Sequence, residues 1–140
     1  MLEHPVVRRQ IAPFSVEGYH KLRDLGVVSV KTELLNGAIV EKMTKSPRHT
    51  LLVHRLCDGL AVDLPSGYQL RKEDPLTLMT SEPEPDIAIV SGDIETYRDR
   101  HPTTAALVLE VAVSSREVDW AKAELYAGGR RARLLVGTRR

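Results

Sequence analysis

Two apolar runs in the second half of the chain restrict its fold more than any other feature. Ile87 to Val90 and Ala106 to Val113 are nearly continuous stretches of Val, Ile, Leu and Ala of strand length. Such runs suit strands covered on both faces, because a half-exposed strand alternates apolar and polar residues. Each run carries a carboxylate, Asp86 just ahead of the first and Glu110 inside the second. Taking a carboxylate out of water is costly unless a cation or hydrogen bonds compensate it. Two of them, on strands that a polar connection can bring side by side, suggest oxygen ligands converging on a hard divalent ion. Lys122 follows in a helical pattern, and an ammonium near such a centre can orient water or stabilise charge developing on a phosphate. The same residues admit a plainer reading. Asp86 after Pro85 could begin a strand near solvent, Glu110 could pair with an arginine, and Lys122 could sit on a solvated helix face.

Ahead of these runs, the residues up to Pro13 read as an irregular leader. Ser15 can cap a helix running to about Leu25, with Tyr19, Leu22 and Leu25 on one stripe and Gly26 as its stop. Asn36-Gly37 between Thr32 and Met43 is a strong short-range hairpin signal, since both turn positions need positive φ. Ser46-Pro47 opens a second helix to about Val62, with Leu52, Leu56 and Leu60, beside Val53 and Cys57, as its apolar face. His49 in its first turn stands where a helix N-terminus could meet a phosphate, or is simply an exposed histidine. Tyr68 to Arg71 reads as a strand, interrupted by Pro75. Ser91 to Pro102 reads as a polar connection. A helix around Glu117 to Ala127 and a last short strand within Ala132 to Val136 complete the order. Helix, hairpin, helix, strands, helix, strand implies an α/β (α+β) mixed sheet covered by helices.

At 140 residues the chain suits a single domain spanning 1–140, and 42% hydrophobic with 28% charged residues points to a folded protein. No apolar run approaches the roughly 20 residues of a membrane span, and no signal-peptide core opens the sequence. The lone Cys57 excludes an internal disulfide and fits a reducing cytoplasm. Net charge is +1, but the last eleven residues hold five arginines and no acid, leaving −4 for the remainder. Such a body is not a basic nucleic-acid-binding surface, so DNA affinity would need a local patch, the tail or a bound metal.

Several stretches stand in order along the chain: Glu33-Leu-Leu-Asn-Gly-Ala-Ile-Val-Glu41, Ser46-Pro-Arg-His49, Pro83-Glu-Pro-Asp86-Ile-Ala-Ile-Val, His101-Pro, Leu109-Glu110-Val, Asp119, and Lys122 with Tyr126. Together they resemble the Uma-two family of restriction-endonuclease-like proteins in the PD-(D/E)XK nuclease superfamily. The resemblance implies a restriction-endonuclease-like core and a metal-dependent nuclease hydrolysing phosphodiester bonds of DNA. By motif position it assigns Asp86 and Glu110 as ligands of Mg²⁺ or Mn²⁺ and Lys122 as the superfamily lysine, moved from the strand to the following helix. Glu33 would be an additional acid, and His49 matches a family histidine without an assigned role.

The motif resemblance spans roughly residues 15 to 127, beyond which the arginine-rich composition suggests a truncated or altered C-terminus. A sheet missing a strand there would expose an edge and favour a homodimer. The acidic body and the altered C-terminus favour a second class of function, a non-catalytic nuclease-fold module binding nucleic acid or a protein partner.

Overall fold

The computed structural model describes residues 12–111 and the backbone of Leu134–Val136. They fall into two compact units, one of residues up to Lys42 with Met79–Glu82, the other of Met43–Leu78 with residues from Pro83 on.

The first unit is built on the expected hairpin. Strand β1 (Thr32–Leu35) pairs antiparallel with β2 (Ala38–Glu41), Leu35 opposite Ala38. Asn36 and Gly37 make the turn at φ 49° and 77°. Gly37 is required for a second reason, because a Cβ there would lie 2.3 Å from Cβ of Pro13. The segment Met79–Glu82 lies against the hairpin, with the Glu82 amide donating to the Leu34 carbonyl and Gly37 to that of Thr80. Helix α1 (Val16–Asp24) is capped by Ser15, whose hydroxyl accepts from the Gly18 amide, and Gly26 at φ 68° ends it. Its stripe is narrower than expected. Tyr19 is fully buried and donates its hydroxyl to the Thr32 carbonyl at 2.8 Å, whereas Leu25 is 76% exposed. The helix ends at Asp24, so Leu25 falls off the periodicity that would have turned it inward.

The second unit is a four-stranded mixed sheet of β3 (Tyr68–Lys72), β4 (Ile87–Ser91), β5 (Leu107–Glu110) and β6 (Leu134–Val136) in that order. The first two pairings are antiparallel and β5–β6 is parallel. Both faces of β4 are covered, as its unbroken apolar sequence requires. Ile87 and Leu109 pack on Val53 of helix α2 (Pro47–Val62), while Ala88, Val90 and Val108 pack with Leu76 and Ala105 on the other side.

Three expectations are revised here. On α2 the inward residue is Val53, supported by Cys57 and Leu60, and Leu56 is 41% exposed. Residues 53, 57 and 60 follow the helical repeat, and a one-residue rotation turns Leu56 outward. The connection after β4 holds a 3₁₀ turn, Ile94–Tyr97, capped by Asp93 and Thr96 in a reciprocal box. Finally, β5 is shorter than the apolar run, ending at Glu110. The arginine-rich tail supplies β6, which pairs along the far edge of β5 with Glu110 opposite Val136. The helix expected around Glu117 to Ala127 lies outside the described residues.

The helix face can be checked directly. Val53→Ala is expected to lower unfolding free energy by about 1–3 kcal/mol and Leu56→Ala by less than about 1 kcal/mol in urea denaturation. Equal losses would put Leu56 back in the core.

Candidate functional site

The sheet register brings the two strand carboxylates together. Ile87 of β4 pairs with Leu109 of β5, so the next step in the antiparallel ladder sets Asp86 opposite Glu110. Both are buried, and the Asp86 amide points at Oε2 of Glu110 at 3.4 Å. Facing like charges repel, and repulsion grows as water is excluded. The position therefore needs cations or donors.

Asp86 has them. Lys45, directly before the Ser46 cap of α2, places Nζ 2.8 Å from Oδ1. On the other oxygen, Oδ2 accepts from the Val111 amide at 2.7 Å and lies 3.0 Å from Nε2 of His49. The local cause is sequential. Ser46 accepts from the His49 amide and Pro47 starts the helix, so residue 49 falls in a fixed first turn and residue 45 just outside it. Burial pushes the Asp86 carboxyl up, but the Lys45 ammonium, the Val111 amide and the nearby His49 together hold it below its ordinary value. For Lys45 burial works against the charge, and its bonds to Asp86 and Glu73 outweigh that and raise its pKa.

Glu73 completes the group. Its Oε1 is 2.7 Å from Nζ of Lys45, and its amide donates to the Asp86 carbonyl at 3.2 Å. It follows the last residue of β3 with φ at 54°, a left-handed conformation that costs a residue with a side chain about 1–3 kcal/mol. The ammonium of Lys45 thus bridges a buried carboxylate and a half-exposed one. Nδ1 of His49 is buried with no hydrogen-bond partner among the described residues.

Of the residues singled out in the sequence, Asp86, Glu110 and His49 meet here. Lys122 and the Asp119–Tyr126 segment lie outside the described residues. Glu33 is buried on β1, in the other unit. His49 is not an exposed residue; its side chain is 12% accessible. Lys45 and Glu73 were not anticipated. Lys45 lies outside the helix, ahead of its Ser46 cap, so no helical spacing marks it in the sequence. Nothing local announces the turned backbone of Glu73. Cys57 is a packed thiol as expected, its pKa raised by burial.

Two facing carboxylates suit a hard divalent ion in kind. Among the described residues, no group of three His, Cys, Asp or Glu side chains is arranged to hold an ion. Also among them, no helix is long and apolar enough to cross a membrane.

The sequence pattern of a family described as "Putative restriction endonuclease", Uma2, matches residues 16–136, so the likeness extends beyond residue 127 into the arginine-rich tail. Among solved structures, the fold is similar to that of a "putative nuclease belonging to DUF820" from Anabaena variabilis. The TM-score is 0.65 over 89% of this chain and 74% of that chain, at 14% identity. At that identity the likeness speaks for the fold. No curated protein matches the chain.

The charge arrangement predicts an acid-sensitive fold. With its folded value lowered, Asp86 contributes stability above its ordinary pKa of 3.8 that is lost as pH falls through the folded value. Removing the ammonium in Lys45→Met should shift this loss toward neutral pH, read from Tm against pH. At pH 7 the same variant should lose about 1–3 kcal/mol, less than a fully buried pair would, because the Lys45 side chain is 36% exposed. An unchanged acid limb would mean that the ammonium does not stabilise Asp86.

Proposed function

Since the chain belongs to this restriction-endonuclease-like family, we propose that it is a metal-dependent nuclease that hydrolyses phosphodiester bonds of DNA. The observation that carries this reading is the placement of Asp86 opposite Glu110 at adjoining ends of β4 and β5. These two carboxylates would hold Mg²⁺ or Mn²⁺, which when bound supplies Lewis acidity toward a phosphoryl oxygen and acidifies a water.

The chain's own groups prepare that place. The Val111 amide and His49 fix Oδ2 of Asp86, so the carboxylate presents one orientation. The apolar cover of β4 and β5 keeps water away from the ladder beneath, where charge interactions strengthen. Lys122 is proposed to position the attacking water or balance charge, and Glu33 is proposed as the additional acid that the motif resemblance implies. The arginines of the last eleven residues are a source of phosphate contacts for an otherwise acidic body.

One observation favours a second reading. The Asp86 carboxylate is already neutralised by Lys45 and bonded to His49, as a structural ion pair would be. In that case the chain is a nuclease-fold module that binds nucleic acid or a protein without cleaving.

Plasmid and single-stranded DNA incubated with Mg²⁺ or Mn²⁺ separate the two. Wild-type cleavage should fall by at least about 10²-fold in Asp86→Asn and Glu110→Gln, the scale of losing a group that stabilises transition-state charge. Lys122→Ala and Glu33→Gln report on the remaining assignments. Residual cleavage equal in all proteins would mark a contaminant, and DNA retention without cleavage would favour the binding module.

A further inference from the structure

The place beside Asp86 where a divalent ion would sit already holds a tethered cation. Lys45 Nζ lies 2.8 Å from Oδ1 of Asp86 and 2.7 Å from Oε1 of Glu73. An ammonium is a compact point charge on a flexible stem, able to move between neighbouring acceptors without leaving either far behind. Its two acceptors differ. Asp86 is buried, with a side chain 6% accessible, whereas the Glu73 side chain is 41% accessible. Glu73 is also held toward Lys45 by a backbone in the left-handed region, a costly conformation with no turn glycine to relieve it.

We infer that Lys45 is a resident counter-cation of Asp86 that must shift onto Glu73 before a divalent ion can bind, so the two cations compete for one carboxylate. The inference rests on the metal-site reading above. In the resting chain Lys45 neutralises Asp86 and lessens its repulsion with Glu110. When a divalent ion arrives, Oδ1 exchanges the ammonium for the metal, and Glu73 retains Lys45 so that the positive charge is not expelled as a free group. Metal affinity is then lowered by the fraction of molecules in which Lys45 occupies Asp86. Lys45 is a positioning residue in this scheme, acting through Asp86.

The prediction has opposite signs at two neighbouring positions, which loss of structure alone would not produce. Titration of the protein with Mn²⁺ by calorimetry should give roughly tenfold tighter binding in Lys45→Met, the scale of a single partly screened charge. Glu73→Gln should bind several-fold more weakly, because the ammonium loses its alternative partner. In the Lys45→Met background, Glu73→Gln should have no further effect. Circular dichroism and Tm confirm that each variant is folded, and the half-exposed Glu73 variant keeps the test alive if Lys45→Met unfolds.

Equal Mn²⁺ affinity in wild type and Lys45→Met, with binding lost in Glu110→Gln, would sink this inference and leave the metal site standing. A further loss on Glu73→Gln without Lys45 would make Glu73 a metal ligand and overturn the exchange. No saturable Mn²⁺ binding in any variant would sink both readings.

Discussion

Two carboxylates face each other across an antiparallel ladder whose neighbours are almost wholly apolar, and the rest of the second unit answers that constraint. Asp86 and Glu110 cannot both remain charged and buried without nearby positive charge. The start of α2 supplies it, with Lys45 outside the cap and His49 one turn in. The Val111 amide, freed where β5 ends, supplies a further donor. Had β5 continued to Val113, as the apolar run suggested, that amide would belong to the ladder instead of the Asp86 carboxylate.

Helix α2 consequently has two jobs. Its middle, through Val53, covers Ile87 and Leu109 and fixes the helix over the sheet. Its N-terminal turn then delivers His49 to Asp86. Packing and site geometry are coupled through one rigid element, so a change that rotates the helix in the core would also move His49. The other face of β4 is closed by Leu76, Ala105 and Val108, with the edge of the connection tied down by Tyr97. The first unit obeys a separate local rule. Its hairpin depends on Asn36 and on a Gly37 that both turns the chain and admits Pro13.

Much of this was legible beforehand because it depends on local rules. The caps at Ser15 and Ser46, the turn at Asn36-Gly37 and the stop at Gly26 follow from backbone donors and φ preferences that act within a few residues. The facing of Asp86 and Glu110 was readable as a possibility, since their apolar surroundings required compensation. Which groups compensate was not. Lys45 looked like any solvated lysine before a helix, and Glu73 like one charge in the run Arg71-Lys72-Glu73-Asp74. Their roles exist only because β3 and β4 lie side by side, bringing the residue after β3 next to the residue before β4.

Sequence alone determined the α1 and α2 helices and the hairpin, the buried character of β4 and β5, and the presence of carboxylates that could not stand there unassisted, because hydrophobic period and side-chain solvation are properties of short stretches. Tertiary structure decided the rest: the rotation that turns Val53 inward and Leu56 outward, the pairing of the arginine-rich tail with β5, and the choice of Lys45 as the cation on Asp86. Those outcomes depend on which distant segments meet, and a chain written in one dimension does not fix the distance between residues 45, 73 and 86.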